Sequence, residues 1–402
     1  MVVESAEVEE VIRRLARRDA GTAEDARAAV EWLSRGEEDA PSVFTRHRLQ
    51  AFLWYELPHK WLVSTDEHFA VAEALAAFFH EVGPEATGYA ALCRDPQTAK
   101  ILRVGGEGFV EAIETSGLEP PDTPVLEWSD LMTIEEALER DAVAEMLEQA
   151  VDEGRLVPGS PRWKKRQAEL VEAYLTTPHR AEGTPLSRIL TARRQAWLEW
   201  FTDRPARAFI EAVTPQTDAA PTIAEAEAAI EPLLWLLGRL ADGVKLTQTG
   251  ALPRVLVREV VGRYPDWWDG ELFGHPQREA DVYPLEVLHT IAAELRLARP
   301  RRGILQLAPR GRALRADPPA LLSTVASAIA ANGGSTELDL ALAMLLTGKA
   351  DGFDFRLIHL LGPFYGITGG RFRQEAELTP AGRTLAAAIL QARAYGPRHS
   401  FA

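Results

Sequence analysis

Apolar residues recur at three- and four-residue spacing over 23–33, 67–82, 134–151, 162–175 and 185–200. This is the period of a helix that buries one face, so the first half of the chain is expected to be helical. Two stretches, Ser64-Thr-Asp-Glu67 and Thr133-Ile-Glu-Glu136, place a hydroxyl three residues ahead of a glutamate, the arrangement of a capping box. The pattern breaks at Pro120-Pro121-Asp-Thr-Pro124, at 214–221 and, less sharply, at 154–161, where proline and glycine replace large apolar residues. These breaks set three expected domains: an acidic helical domain over 1–119, a helical domain over 125–213 and a repeat region over 222–402.

The second half alternates helical with extended patterns, and one short element occurs in it three times: Leu246-Thr-Gln-Thr-Gly250, Leu307-Ala-Pro-Arg-Gly311-Arg-Ala-Leu314 and Leu378-Thr-Pro-Ala-Gly382-Arg-Thr-Leu385. It predicts a strand that runs straight into a helix. In the third copy Thr379 offers a capping hydroxyl, Pro380 pre-sets φ at the first helical position and Leu385 opens the apolar stripe. The second copy keeps Pro309 but has Ala308 where the cap would be. Around the second copy the expected order is a helix over 284–297, a turn over 298–303, a strand over 304–307 and the repeated helix. The third copy repeats this order with a helix over 355–361, an extended segment over 363–368, a Gly369-Gly370 turn suited to positive φ and a strand over 371–378. The first follows a helix over 224–240 with only 242–247 extended. It reads as a degenerate copy over 222–264, against copies over 283–316 and 354–395.

Charge sharpens this division. Residues 1–217 hold 39 acids against 24 bases and carry all of the net charge of −15, whereas residues 218–402 hold 20 of each. Within the neutral half, Arg296, Arg299, Arg301, Arg302, Arg310, Arg312 and Arg315 follow one another with no acid between them. A run of this kind is a candidate surface for phosphate.

With 402 residues the chain is long enough for two or three domains. No apolar run approaches the roughly 20 residues of a membrane helix, and the N-terminus is acidic, so a cytoplasmic protein without a membrane partner is expected. Only 6 of the 44 basic residues are lysine, a bias that points to a GC-rich bacterial genome. One cysteine, Cys93, excludes an internal disulfide and any multi-cysteine zinc site, and its apolar helical surroundings mark it as packing. Trp32, Trp54, Trp197, Trp200 and Trp235 lie in helical apolar stripes and are expected in the core. Trp267 and Trp268 lie in a polar loop, as anchors for a protein partner or as a lid folded over the core.

Catalytic signatures are lacking. Gly348-Lys349 has no upstream glycine at phosphate-loop spacing, and Gly105-Gly106-Glu-Gly108 has no strand before it. The histidines form no ligand set, and the pairs Glu135/Glu139 and Glu145/Glu148 read as solvent faces. No catalytic residue, metal or cofactor is expected, although a site assembled from distant positions remains a third reading.

Leu378-Thr-Pro-Ala-Gly-Arg383 and Leu307-Ala-Pro-Arg-Gly-Arg312 resemble the wing-to-helix junction of winged-helix domains, as in MarR-type and PadR-type bacterial regulators, over roughly residues 280–395. The resemblance implies that the helix over 284–297 enters the DNA major groove and that the tip Arg299–Arg302 touches phosphate. The presumed recognition helix departs from the pattern, because Glu286 and Glu294 stand where base-reading side chains belong. The chain also resembles uncharacterised actinobacterial proteins at Leu57-Pro-His-Lys-Trp61, Trp163-Lys-Lys-Arg-Gln167 and Thr177-Pro-His-Arg-Ala-Glu-Gly-Thr-Pro185, which implies no activity. The expected protein is therefore mainly α, a helical N-terminal half followed by tandem winged-helix-like modules with short β-hairpins. Its expected role is regulatory, without catalysis, and it binds double-stranded DNA through the seven arginines; the rival is a protein adaptor using the same modules and Trp267/Trp268.

Overall fold

The computed structural model describes residues 1–34, 42–179, 183–217, 219–333, 335–348, 355–368 and 377–399. Helices fill the segments whose period predicts them: Ala20–Leu33, Thr65–Val82, Ile134–Asp152, Trp163–Thr176 and Pro185–Leu198. The protein is mainly α, and the chain divides into two units, Met1–Ile189 and Leu190–Ala402.

The first unit holds two apolar cores, one gathered from residues between Val3 and Ala112 and the other from residues between Leu126 and Ile189. Its one sheet among the described residues is two short antiparallel strands, Val2–Val3 with Ser42–Val43. Both hydroxyls predicted to cap do so, but the two boxes differ. Ser64 and Glu67 cap reciprocally. Thr133 accepts the N–H of Glu136, while the Glu136 carboxylate turns inward and takes the N–H and hydroxyl of Ser129 at 2.9 and 3.0 Å. A fully buried carboxylate needs such donors.

In the second unit the helix Arg204–Thr217 continues into the segment read as a break, because Ile210 and Val213 are drawn into the core. Beyond it the chain builds α1 (Glu231–Arg239), β1 (Val244–Lys245), α2 (Arg254–Arg263), α3 (Tyr283–Glu294), the hairpin β2 (Ala298–Arg301) and β3 (Ile304–Leu307), and α4 (Pro309–Arg315). Helices α5 (Pro318–Gly333), α6 (Thr336–Leu346) and α7 (Phe355–Leu361) follow, then β4 (Ile367–Thr368), β5 (Glu377–Leu378) and α8 (Pro380–Tyr395).

The strands differ from expectation in two places. Residues 298–301, expected to be turn, are strand β2, and the hairpin reverses through Arg302 and Gly303 alone. Both take positive φ, 52° and 75°, the geometry of a two-residue turn that matches the right-handed twist of its strands. The first copy of the repeated element does not run into a helix. Thr247–Gly250 form a turn, and α2 begins only at Arg254. Its strand, β1, finds its partner in the next copy: Val244 pairs with Leu305 and Lys245 with Ile304, which completes a three-stranded antiparallel sheet of order β1-β3-β2.

The other two copies share a construction that the sequence pattern does not reveal. At the end of α3, Arg296 turns left-handed, with φ 54°, and the N–H groups of Leu297 and Arg296 return to the carbonyls of Ala292 and Ala293. This pair of bonds is the Schellman helix stop, with arginine at the position that usually belongs to glycine. After α7, Tyr365 takes φ 56°, and Gly366 and Tyr365 return to Leu361 and Gly362 in the same way. Ala308 N–H then donates to the Leu297 carbonyl at 2.8 Å, and Thr379 N–H to the Gly366 carbonyl at 3.0 Å. The repeated glycine seals the junction. A Cβ on Gly311 would lie 2.1 Å from the Leu297 oxygen, and one on Gly382 would lie 1.9 Å from the Gly366 oxygen. Only glycine lets helix and strand root approach this closely. In the third copy Thr379 caps α8, accepting the Gly382 N–H at 2.9 Å, and Ala308 gives α4 no side-chain cap, as their sequences predict. The expected Gly369-Gly370 turn and residues 371–376 lie outside the described residues; the flanks pair antiparallel, Ile367 with Leu378 and Thr368 with Glu377.

Candidate nucleic-acid interface

Side chains alternate across a strand, so one face of the β1-β3-β2 sheet is sealed and the other is open. Ala298, Leu305 and Leu307 are buried. Arg299, Arg301, Ile304 and Gln306 are exposed, and the register sets Lys245 beside Ile304 and Arg301 opposite it. One row across the open face is therefore Lys245, Ile304, Arg301; the next pairs Gln306 with Arg299. Arg302 occupies the hairpin tip, Arg296 the turn before β2, and Arg310, Arg312 and Arg315 stand on α4.

All seven arginines are exposed, as is Lys245, and no side chain of the eight has an ion pair or hydrogen bond with a described residue. Some other arginines of the unit are engaged: Arg393 bridges to Asp339 at 3.1 Å, and Arg263 to Glu231. Cations held on a hairpin without internal partners keep their full attraction for an external anion. Lys245 is the member that the sequence reading missed, because the only signal for it was a strand without a visible partner.

Helix α3 presents a different surface. It buries Leu285, Leu288 and Ala292 and exposes Glu286, Thr290 and Glu294. No base stands on the exposed row, so it repels phosphate where a base-reading helix would attract it.

Trp267 and Trp268 are both half-buried against the apolar core. The Trp267 ring stacks on Tyr264 at 4.3 Å, and Trp268 Nε1–H donates to the Gly274 carbonyl at 2.5 Å and faces Phe273 at 5.6 Å. Tyr365 donates to Asp266 at 2.6 Å and closes the same loop from the other side. The loop is thus folded back over the core. The core assignment holds for Trp54 and Trp197, with Trp235 packed at the margin, but Trp32 and Trp200 are 41% and 45% exposed. The Trp32 indole donates to Glu56, and the Trp200 ring lies under the Arg393 and Arg398 guanidinium groups, so each helical stripe ends in an edge that solvent reaches.

Elsewhere, several of the polar groups that the sequence singles out have structural roles. Cys93 is buried, and burial pushes its thiol up to about 12, the opposite of an activated nucleophile. Glu139 and Glu148, read as solvent-facing, turn inward: Glu139 bridges Arg188 at 2.6 Å, while Glu148 takes Arg46 at 3.1 Å and the Tyr89 hydroxyl at 3.0 Å. Glu119 joins His47, 2.6 Å away, and Arg140. Burial would raise the Glu119 carboxyl, but the His47 hydrogen bond and the Arg140 charge outweigh it and hold it below the ordinary range. A polar cleft of about 630 Å³ in the first unit mixes Lys100 with Asp95, Glu107 and Glu111, with no single sign of charge. Among the described residues no group of three or more histidine, cysteine or acidic side chains is placed to hold a metal, and no helix is long and apolar enough to cross a membrane.

Residues 233–320 match a family model described as the Y4jL N-terminal domain. The match spans α1 through the three-stranded sheet and α4 to the first turn of α5. This segment, the part of the chain that carries the basic face, is similar to that family. No curated protein and no solved structure matches the chain.

Proposed function

We propose that this chain is a non-enzymatic regulatory protein of a bacterial cytoplasm that grips double-stranded DNA by its phosphate backbone, with β2 and β3 acting as the wing of a winged-helix-like module. One observation carries the reading: seven arginines and Lys245 stand exposed on one hairpin and its flanking elements, with no carboxylate partner among the described residues. The order helix, two-stranded wing, helix, with β1 completing the sheet, supports the module assignment, as does the tight junction at Gly311. Binding of this kind positions the protein on the duplex and carries little sequence information, in keeping with the acidic outward row of α3. The adaptor reading through Trp267 and Trp268 has less support, because both indoles are packed against their own loop.

The test is an electrophoretic mobility shift with a random duplex over a salt series starting near 50 mM. Each phosphate contact contributes about 0.9 to the slope of log affinity against log salt. Arg301→Ala with Arg302→Ala should therefore flatten that slope by roughly one to two units, and weaken binding about equally for all sequences. No shift by the wild-type protein at tens of micromolar in low salt overturns the proposal.

A further inference from the structure

The outward side of α3 is not featureless. Beside the exposed row Glu286, Thr290, Glu294 runs a second row, Val287, Ile291 and Leu295, which is only half-buried. Facing it across an open groove of about 480 Å³ are Ala328 and Ile329 of α5. The groove has an apolar floor along roughly 14 Å of helix, about the reach of a nine- or ten-residue helical segment. Its rim on the α3 side is acidic, and neither Glu286 nor Glu294 has a cationic partner among the described residues.

We infer that this groove docks a cationic amphipathic helix of a partner protein. The apolar row of the partner would bury Val287, Ile291 and Leu295, and lysines or arginines along its edge would meet Glu286 and Glu294, one helical turn to either side of Thr290. Charge complementarity selects the occupant. Duplex DNA is repelled by the two carboxylates, an acidic helix likewise, and an uncharged helix would leave both rim charges without a partner. The inference stands apart from the DNA proposal, which concerns the sheet and α4.

Fluorescence anisotropy with the full-length protein tests it, using a labelled 14-residue peptide with leucines at helical one-face spacing and lysines along the flanks. Two controls replace the lysines by glutamates or scramble the leucine spacing. The lysine peptide should bind at least about tenfold more tightly than either control. Glu286→Lys with Glu294→Lys, both surface changes, should reverse the preference toward the glutamate peptide. Arg301→Ala with Arg302→Ala should leave peptide binding unchanged, which separates this groove from the wing. The inference fails if the lysine peptide does not bind at hundreds of micromolar, if the scrambled peptide binds as well, or if the charge-reversed protein binds the lysine peptide as the wild type does.

Discussion

The two repeats of the second unit close in the same way and present different surfaces. In each, a helix stops on a left-handed non-glycine residue, Arg296 or Tyr365; the following carbonyl takes an N–H from the far strand; and a glycine of the next helix presses on that carbonyl. Their surroundings then diverge. The first repeat receives β1 as a third strand and carries seven exposed arginines. The second pairs only two strands among the described residues, and its Arg383 donates to the Leu346 carbonyl at 2.9 Å. The shared element therefore encodes a junction, and the residues outside it decide what the junction displays.

The largest expected effect tests whether the junction is common to both. Gly311→Ala and Gly382→Ala should each cost about 3 kcal/mol in denaturant unfolding, because the added methyl meets backbone at both sites. Gly250→Ala, in the first copy, has open space around it and only a positive φ to lose, so about 1 kcal/mol is expected. Equal costs at all three positions would break the comparison. Next in size, duplex affinity at low salt should fall roughly tenfold or more for the Arg301→Ala, Arg302→Ala protein and stay within about twofold for Arg383→Ala. Equal losses would mean that both repeats bind DNA. The smallest effect lies at the caps: Thr379→Ala should cost about 1 kcal/mol, while Ala308→Ser, which supplies the missing cap, should gain about 0.5 kcal/mol. A loss on Ala308→Ser, measured by the same unfolding curves, would show that the buried site does not admit the hydroxyl.

What the sequence made legible was local. Thr379, Pro380 and Ser64 act on groups within three residues, and helical period is a short-range signal, so caps and helices could be read directly. Pairing across distance could not. Lys245 meets Ile304 through a strand whose partner lies beyond three intervening helices, so a strand of the same sheet read as a degenerate copy. The absence of acids between 296 and 315 suggested open arginines, but a distant carboxylate would have quenched them, and only the three-dimensional arrangement shows their exposure. The same limit explains Glu139 and Glu148, whose partners Arg188, Arg46 and Tyr89 lie far along the chain. For Trp32 and Trp200 the period was right and the edge of the stripe was not visible.

The Leu297 carbonyl has a further consequence for how the hairpin meets a ligand. Clamped between the Ala308 N–H and Gly311, it fixes the angle between β3 and α4 before anything binds. Association then need not order the backbone that carries Arg299 and Arg301, and the entropy lost is confined to their side chains and to overall tumbling. If the hairpin grips DNA as proposed, it would work as a stiff bracket, and its cations would arrive at a phosphate already spaced.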